Sequence, residues 1–231
     1  MTGQNERVNE RKPWVVGISG ASGTPYAAAV LRGLLAADEA VDLVISKAAR
    51  LTLLDETGIA FRDAQWKDDL GAWLSSPVTG DVRYWPVSDL AAGPSSGSYR
   101  TKGMVVVPAS TASVAGIALG LSKDLLQRAA DVTLKERRRL VVVPREMPLG
   151  RSTLVHMLAL HDAGAIVAPA SPAFYTGATS AQDLVDFVAG KVLDLLDVPH
   201  ELFRRWTGEL QAGRLSARAE LRSGAARADQ A

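Results

Sequence analysis

The sequence predicts an α/β fold: a doubly wound, Rossmann-like and flavodoxin-like three-layer αβα sandwich with a mainly parallel sheet. Three observations carry this reading. Apolar runs of strand length recur along the chain, segments of helical period separate most of them, and the first run enters a Gly/Ser turn that opens an Ala-rich segment. Continuous apolar runs are what parallel strands need when helices cover both faces of the sheet.

The first strand is expected at 14–19, followed by Gly20-Ala21-Ser22-Gly23 and a helix over 24–37. Further strands are expected at 41–46, 104–108, 140–144 and 165–168, with a weaker one at 82–87. Of the later helices, 152–163 places Leu154, Val155, Leu158 and Ala159 on one face and stops at Gly164; 183–197 repeats Leu184, Phe187, Val188, Val192 and Leu195. Residues 88–103, rich in Gly, Pro and Ser, are expected to form an active-site flap. A polar leader over 1–12 and a polar tail over 209–231, helical or disordered, flank a single α/β domain over 13–208.

With 231 residues, 47% of them hydrophobic, the chain can bury a full core. A formal charge of +1 offers no broad field for nucleic acid or a membrane surface. The absence of cysteine excludes disulfides, thiolate metal sites and a cysteine nucleophile. The first residues lack an apolar signal core, and no apolar run reaches the roughly 18 residues of a membrane span, so the cytoplasm is the expected compartment.

The turn after the first strand predicts an anion site. Small residues let the backbone approach a ligand, and the amides from about Thr24 are expected to point at a phosphate. The dinucleotide fingerprint is not met: the glycines stand at 17, 20 and 23, and the second strand ends in Ser46-Lys47 rather than a carboxylate. A mononucleotide such as FMN is favoured over NAD, the alternative being a tight turn without a ligand.

Ligands of an open α/β sheet bind where the strands end. Those ends carry Gly20-Ala21-Ser22, Ser46-Lys47, Pro108 to Ser113, Pro144-Arg145-Glu146 and Pro169 to Tyr175. Ser110, Thr111 and Ser113 read either as helix caps or as ligands of a phosphate or flavin edge, and Ser22 carries the same ambiguity. Arg128 and Lys135, seven apart, share a helical face that can meet an anion, whereas Arg137 to Arg139 read as solvated. Arg145 and Glu146 leave a buried strand at its functional end, where a charge needs a partner. His156 and His161 are five apart and His200 is isolated, so no metal motif is present; no Gly-x-Ser-x-Gly elbow supports a hydrolase triad.

Taken in order, Gly20-Ala21-Ser22-Gly23, Ser46-Lys47-Ala48-Ala49, Pro108-Ala109-Ser110-Thr111, Arg128-Ala129-Ala130-Asp131, Leu134-Lys135-Glu136-Arg137, Val143-Pro144-Arg145-Glu146, Pro172-Ala173-Phe174-Tyr175 and Asp183-Leu184-Val185-Asp186-Phe187 resemble the UbiX-type flavin prenyltransferases, from about Trp14 to Trp206. The resemblance implies transfer of a dimethylallyl group from dimethylallyl monophosphate to reduced FMN, without a metal. It implies that Gly20, Ala21, Ser22, Ser46, Ser110, Thr111, Ala112, Ser113 and Arg145 hold FMN. Arg128, Lys135, Glu146, Tyr175 and Lys191 would hold the prenyl phosphate, with Ser22, Lys135 and Glu146 in catalysis. It further implies a homo-oligomer, usually a dodecamer with sites between subunits, a flavin reductase as supplier of reduced FMN and a UbiD-type decarboxylase as recipient of the product. Ala109 departs from the family's frequent Cys, and Leu90 from an aromatic of the flap.

Two rival readings are an FMN-dependent cysteine-type decarboxylase and a non-enzymatic flavin-binding protein. The first typically uses a His after an early strand and an Asn-containing loop, which Ser46-Lys47 and Ala112-Ser113 do not supply. The second has no need of Lys135, Glu146, Tyr175 and Lys191, all of which are present.

Overall fold

A computed structural model describes residues 11–206 and 208. The leader, apart from Arg11 and Lys12, and the tail over 209–231 lie outside the described residues.

Among the described residues six strands build one sheet: β1 (Trp14–Ile18), β2 (Val41–Ile45), β3 (Val82–Pro86), β4 (Gly103–Ala109), β5 (Arg139–Pro144) and β6 (Ile166–Val167). All pairings are parallel, in the order β3-β2-β1-β4-β5-β6. This is the doubly wound order in which the chain reverses direction at β1. Without the edge strand β3 it is the five-strand flavodoxin-like order. Every expected strand is found within about two residues of its expected ends, the usual scatter at element boundaries.

The helices are α1 (Thr24–Ala36), α2 (Lys47–Thr57), α3 (Trp66–Leu74), α4 (Thr111–Ala118), α5 (Leu125–Lys135), α6 (Arg151–Asp162) and α7 (Ala181–Leu195). Successive strand side chains point to opposite faces, so each apolar strand serves two cores. Val16, Ile18, Leu43 and Ile45 pack with Leu31 and Leu34 of α1, Leu53 of α2, Leu70 of α3 and Val192 of α7. Val15, Val44, Met104 and Val106 pack on the other face with Val114 of α4, Leu126 of α5 and Leu160 of α6.

Two expectations change. The apolar face of α6 is turned outward: Leu154, Val155 and Leu158 are exposed, while Thr153 and Leu160 face the core. An exposed row of this kind is what a subunit contact covers. Residues 88–103, expected as an active-site flap, form a packed crossover whose first residue, Ser88, lines a cleft at the carboxyl end of the sheet. They run from the carboxyl end of β3 to the amino end of β4 through a short 3-10 turn, Gly93–Ser95, and bury Ala92 and Pro94. Arg128 donates to the Ser95 carbonyl at 3.1 Å, and Arg138 to the carbonyls of Gly97 and Tyr99 at 2.7 and 2.8 Å. Arg138 is therefore a structural anchor, not a solvated charge.

Candidate active site

The reversal at β1 opens a crevice between the loops that follow β1 and β4, and neighbouring strands fix those loops to one another. Ser46 N–H donates to Ile18 O at 2.9 Å, Ser19 N–H to Pro108 O at 3.2 Å, and Arg145 N–H to Ala109 O at 3.2 Å. Ser19 adds its side chain. Only 1% exposed, it donates to Pro108 O at 3.0 Å and accepts from Ser110 N–H at 2.7 Å. Sequence reading missed Ser19 because a serine at a strand end gives no signal until the partner strand is known.

A cleft of about 420 Å³ lies here, lined by Gly20, Ser46, Lys47, Ser110, Ala112 and Ser113 among others. Gly20 is required by space, since a Cβ there would stand 2.4 Å from that of Ala48. Ser46 caps α2 by accepting from Ala49 N–H at 3.0 Å, and Ser110 caps α4 by accepting from Ser113 N–H at 3.2 Å. Capping and cleft lining thus coincide. A hydroxyl that accepts from a helix amide still has its own hydrogen to donate; that of Ser110 is directed at Ser113 Oγ, 3.2 Å away.

One expectation is corrected. The first amides of α1 do not await a phosphate, because Glu56 from the last turn of α2 takes them. Its carboxylate accepts from Gly23 N–H and Thr24 N–H, each at 2.9 Å, and from the Thr24 hydroxyl at 2.6 Å. A carboxylate at a helix amino terminus meets orphan donors and the positive end of the dipole. Burial raises the Glu56 pKa, but hydrogen bonds from Thr24, Ser22, and the Gly23 and Thr24 amides outweigh it and hold the group below the usual glutamate value. Gly23 itself adopts φ 118°, which favours glycine. Sequence gave no pointer to Glu56, which stands 33 residues from Gly23. Ser22 is thereby placed next to a carboxylate at the mouth of the turn.

The charged residues and Tyr175 each have their own surroundings. Arg145 passes beside Gly23, and its Nε is buried without a hydrogen-bond partner. Glu146 is exposed and accepts from Met147 N–H at 2.9 Å. Tyr175, half exposed, packs edge-on against Phe187 and Trp206, with ring centroids 5.9 and 5.7 Å away. Lys191 lies one turn beyond Phe187 on α7 and faces Asp194 at 3.6 Å. Arg128 and Lys135 lie on α5. Arg128 pairs with Asp131 at 2.8 Å and with the crossover segment. Lys135 ends α5, about 15 Å along the axis from its start near the cleft, and leads toward the amino edge of the sheet.

The residues present fit a flavin mononucleotide. A cleft of a few hundred Å³ is the size that holds a cofactor, four serines, Ser46, Ser88, Ser110 and Ser113, line it, and the orphaned Arg145 Nε is a buried donor that wants an acceptor. Among the described residues no group of three or more His, Asp and Glu is arranged to hold a metal ion, and no helix is long and apolar enough to cross a membrane.

Comparison with known proteins agrees with this geometry. The model of the Flavoprotein family matches residues 2–193. A protein of Streptomyces coelicolor named flavin prenyltransferase UbiX is 69% identical over 212 residues, which are 87% of this chain and 98% of that protein. The chain belongs to the UbiX flavin prenyltransferases. Another member, from Deinococcus radiodurans, is 45% identical over 83% of this chain and 92% of its own. The crystal structure of AnUbiX in complex with FMN and dimethylallyl pyrophosphate is 39% identical, with a TM-score of 0.75 over 86% of this chain and 99% of that one. A dodecameric FMN-dependent UbiX-like decarboxylase from Escherichia coli O157:H7 is 40% identical, with a TM-score of 0.75 over 85% of this chain and 100% of that one. The flavin fold of the family is thus the fold of this chain.

Proposed function

We propose that this flavin prenyltransferase transfers a dimethylallyl group from dimethylallyl monophosphate to reduced FMN, releasing prenylated FMN and inorganic phosphate. The observation that carries the reading is the serine-lined cleft at the β1/β4 reversal, with the unsatisfied Arg145 Nε on the loop bonded to Ala109, next to the Ser110 loop that lines it. FMN supplies the nucleophilic ring and the stacking surface. Gly20, Ala21 and Ser22 let it approach the backbone; Ser46 and Ser110, Thr111, Ala112 and Ser113 offer hydroxyls and amides, and Arg145 a charge.

The bond from the allylic carbon to the phosphate oxygen would break with its electron pair going to phosphate, an electron pair of the reduced flavin ring would form the first bond to that carbon, and the phosphate would take up the proton the ring atom loses. Fixed cations stabilise that developing charge in a dry site. Lys191, Arg145 and Lys135 take this role, Arg128 assists in holding the donor, and Tyr175 shields the allyl group. Glu146, with the departing phosphate, would hand a proton to the remaining double bond of the prenyl group and take up the ring proton released when the second carbon bond to the flavin forms.

Lys135 stands away from the cleft of its own chain and Arg128 is engaged by Asp131 and the Ser95 carbonyl, so this mechanism draws such cations from a neighbour in a homo-oligomer, a dodecamer by analogy with the UbiX-like neighbour. The exposed row Leu154, Val155 and Leu158 supports such a contact. A cytoplasmic flavin reductase as supplier and a UbiD-type decarboxylase as recipient complete the proposal. Glu146→Gln is expected to bind FMN normally while turnover falls about 100-fold, the low end of general acid–base contributions. Unimpaired turnover removes that residue's role.

A further inference from the structure

The segment after α7 turns back over that helix and is held by one carboxylate. Asp194, in the last turn of α7, accepts from His200 Nε2–H at 3.1 Å and from Arg205 Nη2 and Nη1 at 2.8 and 3.2 Å. His200 Nδ1 accepts from Leu202 N–H at 3.2 Å, which fixes the ring hydrogen on Nε2. The His200 side chain is 3% exposed, and a Cβ at position 190 would stand 2.6 Å from it and from Phe203, so Gly190 admits the returning chain. Phe203 packs at a tilt, ring centroids 5.0 Å apart, against Phe187, the ring that meets Tyr175.

Lys191 stands one turn before Asp194, its Nζ 3.6 Å from Oδ2. That is an ion-pair separation, longer than a hydrogen bond. Arg205 engages both oxygens of Asp194 and His200 a second site on Oδ1, so the carboxylate's acceptor capacity and charge are met chiefly by these partners. Burial raises the Asp194 pKa, and the hydrogen bonds from Arg205 and His200 outweigh it and keep the group ionised. An ionised carboxylate with no other partner would draw the Lys191 ammonium onto itself and compete with any phosphate for it.

We infer that Asp194, His200 and Arg205 form a clasp that positions Lys191 for the prenyl phosphate, with Arg205 the positioning residue that stops Asp194 from neutralising it. This rests on the reading of Lys191 as a phosphate ligand. Arg205→Ala raises KM for dimethylallyl monophosphate about threefold to fivefold, the range an exposed ion pair supports, and lowers kcat as well, since Lys191 also meets the charge the leaving phosphate develops. The double variant Asp194→Asn/Arg205→Ala restores KM, because the competing charge has gone; a merely structural role would be worsened by losing a second set of bonds. Titration of the FMN-loaded wild type and both variants with inorganic phosphate gives the same order without turnover, the single variant binding weakest. An unchanged KM or phosphate affinity in Arg205→Ala, or a double variant as impaired as the single one, overturns the clasp. A wild type that makes no prenylated flavin yet shows this order of phosphate affinities overturns the proposed function alone.

Discussion

Ser19→Ala removes one hydroxyl from the seam between β1 and β4, and the structure fixes what is lost. Pro108 O keeps the Ser19 amide as a donor at 3.2 Å, whereas Ser110 N–H loses its acceptor at 2.7 Å. An unsatisfied amide costs about 1–3 kcal/mol. Ser110 is only half-buried, so water recovers part of this and about 1–2 kcal/mol remains. For a chain of this length each kcal/mol moves Tm by about 2–4 °C, which gives a fall of roughly 2–8 °C. Loosening Ser110 also disturbs the loop that lines the cleft, and a loss of about 0.7–1.4 kcal/mol there weakens FMN binding about threefold to tenfold. Thermal melts and a flavin fluorescence titration read the two effects. A variant with the wild-type Tm and FMN affinity would refute the claim that Ser19 fixes the crevice.

Gly20→Ala forces a Cβ to 2.4 Å from that of Ala48; overpacking of about 1–3 kcal/mol is expected, with FMN affinity lost beyond what the melt explains. Arg145→Ala is expected to lower FMN affinity about tenfold or more, since charge-assisted hydrogen bonds contribute about 1.5–3 kcal/mol, while the melt of the FMN-free protein barely changes. Glu56 gives a pH signature. Its folded pKa lies below the ordinary 4.5, so its stabilisation is full above that value and is lost as the pH falls through the folded value. Glu56→Gln is expected to lower Tm near neutral pH and to flatten the fall in Tm on acidification; an unchanged acid limb counts against the assignment.

The layered sheet was legible because β1, β2, β4 and β5 are almost wholly apolar, Asp42 in β2 and Arg139 at the start of β5 being the charged exceptions, and such runs fit burial between two helical layers. The helices α2 and α3 were not legible, since each buries only a few residues and carries a polar outer face. The serine loops were legible as a cleft because strand ends carry the site in any open α/β sheet. Ser19, Glu56 and the Asp194 to Arg205 clasp were not, for each acts through a partner distant in sequence or across a fold-back that no local pattern records. The outward face of α6 marks the same limit: helical period identifies an apolar face but not whether the sheet or another subunit covers it.

The most direct test is anaerobic incubation of the purified chain with reduced FMN and dimethylallyl monophosphate, followed by the mass of the extracted flavin and assay of free phosphate. The account predicts a flavin heavier by one five-carbon unit, with one phosphate released for each. Flavin recovered unmodified, with the donor intact, would contradict it.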